Sequence, residues 1–197
     1  MTNRGENVIM KQMDDLELAK FAFHQSSVQS YIAARMMVAT NYLAPIGFYN
    51  AHLACECMIK SLTAQAGLQP KPKHDLIFLL NELKTVNDTK GLNNTELLDV
   101  LNWLNPYQEL GRYGALARAQ NDPGRKDDPN IKAYGVIGYQ ASSDIKNIDF
   151  AFQLLYSLSD SETDLIKQLQ QGQTTKLWRY PIPLDEIVFF QNDCITK

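Results

Sequence analysis

Four leucines, Leu76, Leu79, Leu80 and Leu83, stand at offsets of zero, three, four and seven. This period belongs to one buried stripe on an α-helix and to no strand, whose faces alternate every second residue. It recurs along the chain. From about Met13 to Asn41, Leu16, Ala19, Phe23, Ser27, Ser30, Ala34 and Met37 repeat at threes and fours with no proline or glycine between them. That predicts a long helix with small residues where a neighbour comes close. The segment Phe48 to Ala66 is the most apolar and reads as the central helix. Pro45 and Gly47 are expected to form the turn before it, and Gly67, Pro70 and Pro72 its close.

The third helix is expected from near His74, ending before the polar run Asn87 to Asn94. Asn94 is placed to cap a fourth, with Glu96 in its first turn and Leu97, Leu98, Leu101 and Leu104 as its stripe. Asn105, Pro106 and Gln108 suit a cap, a first helical position and a third one, so the reading is a kink or restart there. Residues 119–141 read as a long excursion, with a short strand considered for Ala133 to Tyr139. Ser142, Ser143 and Asp144 then introduce a last helix carrying Ile145, Ile148, Phe152, Leu155 and Leu158. The expectation is all-α: an up-and-down bundle of four to five helices over residues 13–172. It has a flexible N-terminus at 1–12 and an extended, aromatic C-terminal tail at 173–197 that packs on the domain or on a partner.

The 197 residues are 45% hydrophobic with two tryptophans, enough for a core of one domain. A net charge of −3 gives no general attraction to nucleic acid or an anionic membrane, so any such contact needs a local basic patch. Met1 to Asp15 has no apolar core of a signal peptide, and no apolar run reaches the roughly 18 residues of a membrane span, so the expected location is cytoplasmic. Of three cysteines, Cys55 and Cys57 lie about 200° apart around a helix, which disallows a shared metal or disulfide and leaves buried free thiols. No zinc set, Gly-rich phosphate loop or nucleophile elbow is present, and no cofactor is expected.

On the central helix Tyr49, His52, Glu56, Lys60 and Thr63 fall within an arc of roughly 80°. Two readings stand side by side. In one, this polar stripe is the solvent face and Glu56 with Lys60 an ordinary surface pair. In the other, it faces a groove against the end of the fourth helix, where Tyr107, Arg112 and Tyr113 supply a guanidinium for phosphate and rings for a base. Arg118, Arg125 and Lys126 would extend that groove. His74, beside Asp75, reads either as part of a helix cap or as a site residue.

Three landmarks occur in order: His52-Leu-Ala-Cys-Glu-Cys-Met-Ile-Lys60 followed by Ser61-Leu62; Lys73-His74-Asp75-Leu76 followed by Leu79-Leu80; and Tyr107 with Arg112-Tyr113. Over about residues 16–158 this arrangement resembles the HEPN family. There the second helix carries a glutamate or glutamine and a lysine four residues apart, the third opens on a His-Asp-Leu-like motif, and the fourth ends in a Tyr…Arg-Tyr-like stretch. The resemblance implies a helical bundle, commonly a homodimer. One branch of the family resembles metal-independent ribonucleases using an arginine followed by four to six residues and a histidine. Here the histidines are His24, His52 and His74, and no arginine precedes any of them at that spacing. The chain is therefore more similar to the noncatalytic branch, binding modules for a nucleotide, RNA or a partner such as a nucleotidyltransferase, found in stress, defence and toxin–antitoxin settings. Two alternatives stay open: an RNA-cleaving toxin in which another group, such as His74 or Tyr113, replaces the missing histidine, and a pure protein-interaction scaffold.

Overall fold

The structure is a computed structural model and describes residues 15–39, 44–87, 90–108 and 141–160. These form α1 (Asp15–Ala39), α2 (Ala44–Gln65), α3 (Leu76–Lys84), a 3-10 turn (Lys90–Asn93), α4 (Thr95–Leu104) and α5 (Ala141–Tyr156). No strand occurs among the described residues. The expected all-α architecture is present.

Side-chain bonds fix the direction of α1 against α2. The Ser61 hydroxyl donates to the Lys20 carbonyl, and the Ser27 hydroxyl to the Ala54 carbonyl, both at 2.8 Å. Gly47 meets Val38. As one number rises the other falls, so the helices are antiparallel. Small residues make the approach possible: a Cβ on Gly47 would stand 2.6 Å from Val38 Cγ2 and 2.9 Å from the Val38 backbone nitrogen. Against sequence expectation, Pro45 and Gly47 lie inside α2, which begins at Ala44. Pro45 is tolerated because first-turn amides have no intrahelical acceptor to lose. Gly47 is retained for its missing Cβ and not as a turn residue.

Gly67 closes α2 as expected, at φ 83°, with its N–H on Ala64 and that of Leu68 on the Thr63 carbonyl. This left-handed cap position favours glycine. Asn94 caps α4, its side-chain oxygen accepting from the amides of Glu96 (2.8 Å) and Leu97 (3.3 Å). The expected break is present, with a turn at 105–106 and Tyr107 and Gln108 helical again after it, but Asn105 does not cap that restart. It stays helical at φ −55°, and its side-chain oxygen accepts instead from the Leu76 amide at 2.9 Å, tying the end of α4 to the start of α3. Likewise α5 begins at Ala141, ahead of the serines expected to cap it.

The core is filled by the leucine stripes of α3 and α4, by Val28, Tyr31, Ala34 and Val38 from α1, by Phe48, Met58, Ile59 and Leu62 from α2, and by Ile148, Phe152 and Leu155 from α5. Each of the larger aliphatic and phenylalanine side chains contributes about 1.5–3 kcal/mol on burial. Helix α5 runs antiparallel to α1, with Tyr156 near His24 and Asp149 near Arg35. It ends beside the end of α2, where Gln65 bonds the Leu158 carbonyl and the Asp160 amide. The N-terminal segment 1–12, the greater part of the 119–141 excursion with its considered strand, and the 173–197 tail lie outside the described residues.

Candidate functional site

The polar stripe of α2 is not a solvent face. His52, Glu56, Lys60 and Thr63 are all buried, and Tyr49 is half-buried. Thr63 satisfies its hydroxyl on the Ile59 carbonyl, one turn back. The other three meet around one carboxylate. The Lys60 ammonium stands 2.7 Å from Glu56 Oε1 and 5.6 Å from the centre of the Phe23 ring, so one cation is shared between a carboxylate and an aromatic face.

His74 completes the cluster from outside α2. Its Nδ1 lies 3.0 Å from Oε1 and 3.1 Å from Oε2 of Glu56, while its side chain remains 47% exposed. The capping role belongs to Asp75, whose carboxylate accepts from the Phe78 amide at 2.9 Å. Adjacent residues thus divide the work: Asp75 starts α3, and His74 reaches back to α2. Glu56 therefore spans from a fully enclosed lysine to an imidazole with one open edge.

His52 lies beneath, its Nδ1 3.8 Å from Glu56 Oε2, against the His74 backbone and the Asn105 side chain. Burial drives its pKa down to about 4, with Glu56 opposing, so the ring is neutral at pH 7. Cys55 and Cys57 are buried free thiols, both pushed up to about 12 by burial, which suppresses the reactive thiolate. No group of three or more histidine, cysteine or acidic side chains among the described residues is arranged to hold a metal ion.

Of the aromatic residues at the end of the fourth helix, Tyr107 is buried. It packs on Phe48 (4.9 Å between ring centres) and Trp103 (5.9 Å), which makes it a core contact on α2. Arg112 and Tyr113, with Arg118, Arg125 and Lys126, lie outside the described residues. The structure thus brings together His52, Glu56, Lys60 and His74, sets Tyr107 in the core, and adds Asn105, which sequence reasoning had used only as a cap.

A second polar centre joins α1 to α5. Asp149 accepts from the Tyr31 hydroxyl at 2.6 Å and from Arg35 Nη1 at 3.0 Å, with Arg35 and Asp149 side chains each 4% exposed. Phe152 stacks on Tyr31 at 4.0 Å. Burial raises Asp149 to about 6 against the opposing pull of Arg35 and the Tyr31 bond. The available signal was Asp149 itself: four residues after Ile145 and three before Phe152, it sits on the apolar face of α5, where a charge needs a partner.

No helix among the described residues is long and apolar enough to cross a membrane. Comparison with curated proteins and with solved structures gives no match. The family model of the HEPN domain matches residues 25–128, more than half of the 197-residue chain. The matched segment runs from within α1 past α4 and contains both the whole Glu56 cluster and the three landmarks that carried the resemblance. The chain belongs to the HEPN domain family.

Proposed function

We propose that the chain is a noncatalytic HEPN binding module, working as a homodimer, whose ligand is a nucleotide or RNA and whose surroundings include a partner protein such as a nucleotidyltransferase. One observation carries this reading: a Glu56–Lys60 pair is enclosed inside the bundle and, among the described residues, reaches the surface through His74. Enclosing two charges costs several kcal/mol per ion before pairing, and such pairs are often no better for stability than apolar residues of the same volume. A buried pair held to a half-exposed imidazole is better explained by what the imidazole does at the surface. Lys73, in the segment leading to His74 and exposed, gives a local positive charge that the acidic whole lacks. The missing arginine–histidine motif favours binding over cleavage.

The Glu56–His74 contact also favours a second reading, an RNA-cleaving toxin in which His74 substitutes for the absent histidine, because a carboxylate-held imidazole is suited to proton transfer. A thermal-shift screen with nucleotides and short RNAs in chelator tests the first reading on wild type, His74→Gln and Arg112→Ala. A ligand at a hundred times its dissociation constant stabilises by about 2.7 kcal/mol. A shift with one ligand class that either variant removes supports the module. RNA cut by wild type and not by His74→Gln would replace it with the toxin, and the absence of any shift would move the function to protein interaction.

A further inference from the structure

Charge balance in the Glu56 cluster specifies how His74 must be presented. Glu56 carries one negative charge, and Lys60, 2.7 Å away and enclosed with it, already supplies one positive charge. A second cation is not needed for neutrality. What the carboxylate still lacks is a hydrogen-bond donor on its outer side, and His74 Nδ1, within 3.1 Å of both oxygens, is the atom that faces it. A neutral imidazole has one N–H. If that hydrogen lies on Nδ1, the lone pair is on Nε2. A carboxylate behind a histidine fixes its tautomer and ring orientation and strengthens the far nitrogen as an acceptor.

The neighbours hold this arrangement. Asp75 starts α3 immediately after His74, and the Asn105 side chain receives the Leu76 amide, so the backbone carrying the imidazole is pinned on both sides. His52, neutral and fully enclosed against the His74 backbone, adds no competing charge. The half-exposed His74 side chain is the route by which the cluster meets solvent. Beside it in sequence is the exposed Lys73, and Lys71 is engaged with Glu82 and the Phe78 ring. Lys73 is thus the cation adjacent to His74 in sequence, and it carries no ion pair among the described residues.

We propose that Glu56 is a positioning residue that sets His74 with Nε2 as a hydrogen-bond acceptor at the surface, so that the site takes a ligand hydroxyl lying beside an anionic group, the 2′-hydroxyl next to a 3′-phosphate of a ribonucleotide being the class that fits. This rests on the binding-module reading and narrows it. The acceptor receives the hydroxyl, and Lys73 supplies the charge for the phosphate. Inorganic phosphate has no sugar hydroxyl, and a 2′-deoxy sugar lacks the hydroxyl next to its 3′-phosphate, so neither presents the hydroxyl–phosphate pair to His74 and Lys73 together.

Histidine-labelled full-length protein decides the matter by multiple-bond proton–nitrogen spectra recorded above neutral pH. The His74 signals are those lost in His74→Gln. The expected result is a protonated Nδ1 and a bare Nε2 in wild type, with the tautomer reverting toward Nε2–H in Glu56→Gln, an outcome that burial of Glu56 for packing alone would not produce. Nε2–H or a doubly protonated ring in wild type overturns the proposal, and apart from His74→Gln, used for assignment, this reading requires no variant to fold.

The ligand arm uses a ribonucleoside 3′-monophosphate, its 2′-deoxy counterpart and inorganic phosphate. The ribonucleotide is expected to move the His74 Nε2 signal and to bind at least about fivefold more tightly than the deoxy form, the effect of one hydrogen bond. Equal binding of the two with His74 unmoved overturns the hydroxyl specificity while leaving the binding module standing. No binding of any probe, with the expected tautomer present, removes the nucleotide reading and with it the ligand class proposed for this site.

Discussion

Arg35 and Asp149 are 114 positions apart in the chain and 3.0 Å apart in the fold, enclosed together between α1 and α5. Removing one partner leaves the other charge buried without compensation, which costs about 3–5 kcal/mol. Asp149→Ala is therefore expected to lower stability by that order in a denaturant titration. The paired Arg35→Met/Asp149→Leu change is expected to recover the larger part, because the desolvation cost of both ions disappears with them. A double variant as unstable as the single one would show that Arg35 is held chiefly by other contacts.

The same carboxyl gives a pH signature with a definite sign. In the folded state Asp149 titrates near 6, above its ordinary value of 3.8. Between those values the native state binds more protons than the unfolded one, so this group favours folding increasingly as pH falls through 6 and loses that contribution as pH rises through it. His52 acts oppositely. Its folded pKa of about 4 lies below its ordinary 6.5, the unfolded state binds the extra proton, and stability drains away as pH falls from 6.5 toward 4. The two effects partly cancel in wild type. Unfolding curves across this range should fall more steeply on acidification in Asp149→Asn and more gently in His52→Asn.

Glu56→Ala should be more damaging than His74→Gln. The first strands the Lys60 ammonium inside the bundle, again about 3–5 kcal/mol. The second removes a half-exposed group whose hydrogen bond contributes about 0.5–1.5 kcal/mol, up to about 3 with a charged partner. Circular-dichroism melts of the two variants rank them directly.

Gly47→Ala tests the α1–α2 contact. Its new methyl would enter the space of Val38 Cγ2 and the Val38 backbone nitrogen. Since backbone gives way less readily than a side chain, the expected loss is about 1–3 kcal/mol, far more than the usual small gain from replacing a helical glycine. Unchanged stability would mean that the two helices can separate there at little cost.

Much of the fold was legible because its helices carry strong local signals: the leucines of α3 and α4, the Asn94 cap and the Gly67 stop. Where reading failed, a local rule was overridden by a contact distant in sequence. Pro45 and Gly47 look like a turn until Val38 is seen to need the absent Cβ. Asn105 looks like a cap until the Leu76 amide claims its oxygen. The candidate site was half legible. Helical geometry put His52, Glu56 and Lys60 on one stripe, yet the sequence left solvent and groove both open, since a polar stripe on an apolar helix looks the same either way. The fold decides between them, with Phe23 of α1 over Lys60 and His74, 18 residues from Glu56, against the carboxylate. The Arg35–Asp149 pair was missed because its members, read singly, were one surface-type arginine and one aspartate interrupting an apolar face.

These separations also order events in time. The α1–α2 hairpin needs only the short span between Ala39 and Ala44 to close, whereas His74 meets Glu56 across 18 residues, Asn105 meets Leu76 across 29, and Arg35 meets Asp149 across 114. Loop-closure entropy grows with each step, so local pairing runs ahead and the most distant latch comes last. A chain arrested as the hairpin would own the glutamate and the lysine but not the histidine that gives them an outlet. The Glu56 cluster is thus complete only once α3 has packed against α2, and not in the hairpin.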